Sequence, residues 1–213
     1  MNAFALGEPA SSPASIWRSR GYIPHFDQSG LIQSVTFRLH DAVPEALVEQ
    51  WKKELAWSAK IPATDPRQIV LKKRIAVYED KGYGACWLRR ADIASIAEQA
   101  LLHFDGERYR IIAWCIMPNH VHVVIETLEG YMISEILHTW KSFIAHEANK
   151  ALHRSGKFWF REYYDRYIRN AEHLANAVKY VENNPVKAGL VISKEEWRWS
   201  NAWGRRTSVG ILK

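Results

Sequence analysis

Residues 109–127, Tyr109-Arg-Ile-Ile-Ala-Trp-Cys-Ile-Met117-Pro118-Asn119-His120-Val121-His122-Val-Val-Ile-Glu-Thr127, carry the strongest structural signal in the chain. The first part, 109–117, is apolar and rich in Ile and Trp, and 120–127 alternates with Val121, Val123 and Ile125 on one side. β-Branched and aromatic residues at a period of two suit strands, and Pro-Asn is a turn dipeptide, so a β-hairpin is expected here. His120 and His122 lie two residues apart on its second strand. Both imidazoles therefore point to the face opposite Val121.

Outward from the hairpin, periodicity organises the remainder. Upstream, 91–104 has Ile93, Ile96, Ala97, Ala100 and Leu101 at helical spacing, with Asp105-Gly106 as a stop. Before it, 31–39 alternates through Ile32, Val35, Thr36 and Phe37 after the turn signal Ser29-Gly30, which predicts a first strand. Downstream, 133–153 reads as a long helix and 158–168 as an aromatic extended segment between Gly156 and Asn170. The last clear helix is 171–183, closed by Pro185 and Gly189. Between first strand and first helix, 44–60 (Leu47, Trp51, Leu55, Ala56) and 69–78 (with Lys72, Lys73 and Arg74) are also helical in spacing, and Gly82 and Gly84 end them.

With 44–90 set aside as a helical insertion, the order is strand, helix, strand, strand, helix, strand, then a further helix. That is the ferredoxin-like βαββαβ order of an α+β fold: an antiparallel sheet with helices on one face, here with the insertion and a C-terminal helix added. Residues 1–16, rich in Pro, Ser and Ala, read as a flexible leader, 17–203 as one domain, and 204–213 as a tail too short for another.

Composition narrows the function classes. The chain has 213 residues, 47% of them hydrophobic, enough for one core. Lys and Arg number 29 against 23 Asp and Glu, and the net charge of +6 points to a polyanionic partner. Five of the ten tryptophans, Trp114, Trp140, Trp159, Trp197 and Trp199, are expected to fill cores or pack helices. Cys86 and Cys115 have no paired spacing, which argues against a zinc knuckle or disulfide framework and for a reducing, cytoplasmic setting. No apolar run approaches the ~20 residues needed to span a bilayer, so no membrane association is expected.

Two constellations carry chemistry. Imidazoles at the spacing of His120 and His122 can ligate a divalent cation, and equally can be two surface histidines. Tyr180 and Asn184 are four apart, and share a face if the last turn stays helical. An amide oxygen is a hard donor suited to Mg²⁺ or Mn²⁺. The alternative is a Tyr180 that packs with Ala177 and Val181, and an Asn184 that ends the helix before Pro185.

Three motifs in order, Met117-Pro-Asn-His120-Val-His122, Tyr163-Tyr-Asp-Arg-Tyr-Ile-Arg169 and Tyr180-Val-Glu-Asn-Asn184-Pro-Val-Lys187-Ala-Gly189, resemble the REP-associated tyrosine transposases. These are relatives of the single-tyrosine HUH transposases of small insertion sequences. The resemblance runs from about Arg20 to Trp203. It implies a metal-dependent single-stranded DNA endonuclease and strand transferase, with His120, His122 and Asn184 as ligands of Mg²⁺ or Mn²⁺ and Tyr180 as the nucleophile. Asn stands at the third ligand position where the insertion-sequence relatives usually have Gln.

The implied partner is single-stranded DNA with hairpin-forming repeats, met by a monomer or homodimer near the bacterial nucleoid. Candidate phosphate contacts are Arg18 and Arg20, ranked first because the family uses its N-terminal stretch on a hairpin foot, with Lys141, Arg161, Arg166, Arg169 and Lys187. A DNA-binding protein that has lost catalysis and a metal hydrolase remain as alternatives.

Overall fold

A computed structural model describes residues 17–19, 24–26, 29–58, 61 and 65–204. The elements run β1 (Trp17–Ser19), β2 (Pro24–Phe26), β3 (Ile32–Leu39), α1 (Glu45–Glu54), α2 (Pro66–Asp80), α3 (Ala91–Leu102), β4 (Tyr109–Ile116), β5 (His120–Thr127), α4 (Ile133–Ala151), β6 (Trp159–Tyr167) and α5 (Ala171–Lys187). The leader expected over 1–16, Arg20, and the tail over 205–213 lie outside the described residues.

The alternation in 109–127 closes as a hairpin whose turn is held by Met117 N–H donating to the His120 carbonyl. The hairpin joins β3 and β6 in an antiparallel sheet of order β4-β5-β3-β6, with β3 paired to both β5 and β6. Sequence order strand–helix–strand–strand–helix–strand with this spatial order is the ferredoxin-like arrangement. The short β1–β2 hairpin sits beside the β6 edge.

One sheet face buries Val35, Phe37, Leu39, Trp114, Val121, Val123, Ile125 and Tyr163 against α3 and α4. Trp140 Nε1–H donates to the Tyr109 hydroxyl, which donates to the Leu101 carbonyl, so one chain of bonds ties α4 to β4 and α3. On the opposite face, Ala113, Cys115, Met117 and Val124 pack against Leu174, Ala177, Val178 and Val181 of α5. α2 lies on that face too, over its β6 side, where Lys72 Nζ sits 4.5 Å from the centre of the Tyr164 ring. The helices thus divide between the faces, α3 and α4 on one, α2 and α5 on the other.

Element ends differ from the sequence reading at two places that matter. α2 begins at Pro66, not near 69, because Asp65 caps it by accepting from Arg67 N–H and proline suits the first turn. α5 does not close before Pro185. It runs through that proline to Lys187, giving up only the one bond its missing N–H would have made. Asn184 therefore lies inside the helix, one turn after Tyr180.

Candidate active site

The α5 face of the sheet carries Thr36, His122 and Tyr164 in one row across β3, β5 and β6, and Arg38 and His120 in the next. His120 and His122 are 1% and 3% exposed, so they are not surface histidines. Burial drives both imidazoles towards their neutral forms: His122 is held down to about 3 and His120 well below its usual range, with Lys187 adding to both. Neutral rings keep lone pairs to offer.

Which nitrogen offers one follows from the neighbours. Asn119 is fully buried, and its Nδ2–H donates to the Tyr83 carbonyl at 2.9 Å, which leaves its Oδ1 to accept. That Oδ1 lies 2.7 Å from His120 Nδ1, so Nδ1 carries the proton and Nε2 presents the lone pair. His122 Nδ1 is 2.7 Å from the Thr36 hydroxyl, which turns its Nε2 to the same point. The two Nε2 atoms stand 2.9 Å apart.

α5 brings the other two residues of the sequence reading to this point. The Asn184 side-chain amide lies 3.1 Å from His122 Nε2, and the Tyr180 ring stands edge-on to the His122 ring with centroids 5.4 Å apart. Tyr180 is 39% exposed, with its hydroxyl in hydrogen-bonding reach of Asn184. Partial burial, then Asp80 and Glu79, push that hydroxyl up to about 12.

These residues fit a divalent cation. With His120 Nε2 as acceptor, His122 Nε2 must either meet it lone pair to lone pair or carry a proton and face the Asn184 Nδ2 donors. With the amide in its present orientation either choice leaves a mismatch, and Asn184 Oδ1 is buried without a hydrogen-bond partner. A cation taking both Nε2 lone pairs, with the amide rotated to offer Oδ1, removes every mismatch at once. Donors 2.9 Å apart also match neighbouring vertices of an octahedral ion, ~3.0 Å for bonds of ~2.1 Å.

Sequence reasoning missed Asp80, Asn119 and Tyr83 here. Asp80 ends α2 with Oδ1 4.0 Å from His120 Nε2, and its donor atom and those of the two histidines all lie within 4.8 Å of one another. Its Oδ2 accepts from Lys187 Nζ at 2.5 Å. Glu79, one residue earlier, is buried and paired with Arg38 at 3.2 Å; burial raises its carboxyl to about 7 against the pull of that guanidinium. Gly84 fastens the loop after α2 to the segment after β3: at φ +88° a Cβ there would meet the Asp41 carbonyl at 2.7 Å. Ala85 N–H donates to the Asp41 carboxylate. Of the three, Asn119 alone stands within a motif, beside the histidines, and nothing in the sequence ties residues 80 and 83 to it.

The basic residues are dispersed. Lys187 is at the site. Arg166 is exposed on the same sheet face, and Arg161 and Arg169 are exposed further along β6 and just after it. Lys141 Nζ instead donates to the Phe160 and Arg161 carbonyls, and burial lowers its ammonium to about 8. Arg18 falls in β1. Of the other tyrosines in the second motif, Tyr163 belongs to the opposite core, whereas Tyr164 shares the histidine face.

Residues 89–184 match the family described as "Transposase IS200 like", a span containing His120, His122, Tyr180 and Asn184 but not Asp80. The chain is 27% identical over 119 residues to the REP-associated tyrosine transposase of Escherichia coli K12, covering 53% of this chain and 68% of that one. A Haemophilus influenzae protein provisionally given the same description is 26% identical over 120 residues, covering 52% of this chain and 66% of the relative. Among solved structures, a REP-associated tyrosine transposase bound to a REP hairpin superposes with a TM-score of 0.51 at 18% identity, covering 86% of this chain and 81% of that one. That likeness is one of fold. In its motifs and over residues 89–184 the chain is similar to the REP-associated tyrosine transposases, and its fold is like that of the solved one.

Proposed function

We propose that the protein cuts and rejoins single-stranded DNA at hairpin-forming repeats through a covalent bond to Tyr180. The observation that carries this is the convergence of Tyr180 and Asn184, from one face of α5, on two neutral histidines whose Nε2 atoms meet at one point. The matched relatives are covered over about two thirds of their length, and their names supply the DNA repeat as the class of substrate.

His120, His122 and Asn184 would hold Mg²⁺ or Mn²⁺. Bound there, the cation would draw charge from the scissile phosphate and ease the loss of the tyrosine proton. Tyr180 Oη forms a bond to phosphorus as the bond to the 3′ oxygen breaks. The hydroxyl proton leaves the tyrosine, and the departing oxygen takes one up as a 3′-hydroxyl. The resulting 5′-phosphotyrosine remains a phosphodiester, so attack by another 3′-hydroxyl reverses the step and joins strands without an energy cofactor. A hydroxyl held at about 12 is a poor nucleophile by itself, which makes the lone-pair cluster beside it necessary to this reading. The unpaired thiols Cys86 and Cys115 suit a reducing, cytoplasmic setting, and no helix of the described residues is long and apolar enough to cross a membrane.

The test is incubation with a labelled hairpin oligonucleotide and Mn²⁺, followed by mass spectrometry of any covalent adduct. Attachment at Tyr180, lost in Tyr180→Phe with hairpin binding retained, supports the reading. Attachment at Tyr164 moves the nucleophile to β6. Binding without any adduct identifies a DNA-binding protein that does no chemistry.

A further inference from the structure

We infer that Asp80, delivered from α2, is a fourth ligand of the cation held by His120, His122 and Asn184, and that Lys187 competes with the cation for its carboxylate. This rests on the metal site proposed above and extends it to a helix outside the family-matched residues.

The two oxygens of Asp80 have different surroundings. Oδ2 is paired with Lys187 Nζ, while Oδ1 is turned to His120 Nε2 at 4.0 Å. Asn119 fixes the His120 proton on Nδ1, so Oδ1 faces a lone pair. Two acceptors aimed at each other repel unless a cation lies between them. Asn184 Oδ1, fully buried and without a partner, belongs to the same cluster.

Asp80 is not at this point by chance of an exposed helix end, because its own neighbours hold it there. Glu79 is buried against Arg38, which pairs across the sheet with His120, and the Gly84 turn locks the next residues onto Asp41. The side chain is 12% exposed, and Lys187 engages only its Oδ2. Two imidazoles and an amide are all neutral donors; a carboxylate supplies the anionic oxygen that hard dications favour. Taking up the cation draws Asp80 from Lys187, a half-exposed ammonium one turn past Tyr180's partner Asn184, and leaves it free to meet the phosphate.

The test measures Mn²⁺ binding to the DNA-free protein by electron paramagnetic resonance of the unbound ion. Asp80→Asn is expected to weaken binding by more than the roughly 10–100-fold that outer partners of metal ligands are worth. Lys187→Gln is expected to tighten it about two- to fivefold, the equivalent of an exposed ion pair. That tightening should disappear in the Asp80→Asn background. Wild-type affinity in Asp80→Asn, or no tightening in Lys187→Gln, overturns the inference while His122→Ala still abolishes binding. Should the wild-type protein bind no Mn²⁺, the underlying metal site fails instead.

Discussion

Replacing Asn119 by Ala removes the one side chain that sets the His120 tautomer. Two hydrogen bonds go: the one from His120 Nδ1–H at 2.7 Å and the one to the Tyr83 carbonyl at 2.9 Å. His120 is 1% exposed and is left without a partner, whereas the Tyr83 carbonyl belongs to a half-exposed residue and can turn to water. At about 1–3 kcal/mol for one orphaned buried group, the variant should lose about 1–3 kcal/mol of folding stability, read by urea unfolding. Freed from Asn119, the imidazole can place its proton on Nε2, and Mn²⁺ affinity should fall by roughly 10–100-fold. Asn119→Asp separates the two effects. It keeps an oxygen for Nδ1–H but turns the other onto the Tyr83 carbonyl, so stability falls while Mn²⁺ binding stays near wild type. An Asn119→Ala protein that is folded and binds Mn²⁺ as tightly as wild type would refute the tautomer assignment.

Other outcomes follow from the same site. Folded-state values of His120 and His122 lie below the unfolded value near ~6.5, so their contribution is complete above that pH. It is lost on acidification, towards about 3 for His122, at up to about 1.4 kcal/mol per pH unit for each ring. Glu79, raised to about 7, acts with the opposite sign over pH 4.5–7, so the measurement is the slope difference between wild type and His122→Gln in urea titrations from pH 8 to 5; equal slopes would contradict the burial. His122→Ala should abolish Mn²⁺-dependent cleavage yet retain hairpin binding, and undiminished wild-type cleavage in EDTA would remove the cation from the mechanism. Changing Arg18 and Arg20 together to Ala should lower the salt dependence of hairpin affinity, by ~0.7 in the log–log slope for each phosphate no longer neutralised; an unchanged slope puts the DNA track elsewhere.

Local periodicity made part of this molecule legible. The alternation around His120 fixed which way both imidazoles point, and the four-residue spacing of Tyr180 and Asn184 put them on one helix face. What periodicity cannot reveal is register and packing. Thr36 meets His122 only because β3 pairs with β5 at that offset, and one residue of slip would turn Thr36 away. Asp80 and Tyr83 reach the histidines only through the Arg38–Glu79 pair and the Gly84 turn, contacts between segments some 40 residues apart. Pro185 misled for a related reason: a helix tolerates a missing donor near its end when the helix is held by burial, as Val181 and Asn184 hold this one.

Tyr180 and Asn184 ride on one uninterrupted helix, a single turn apart. The proposed nucleophile and a proposed cation donor therefore cannot be moved independently. On the proposed mechanism, any shift of α5 that swung a DNA-bearing tyrosine away from the histidines would also withdraw an oxygen from the cation site, so the site that made the break would be dismantled as the broken end departs. Return of the helix restores both together. Rejoining would thereby be confined to moments when the whole machine is reassembled, and a stray hydroxyl meeting the displaced tyrosine would find no catalyst beside it.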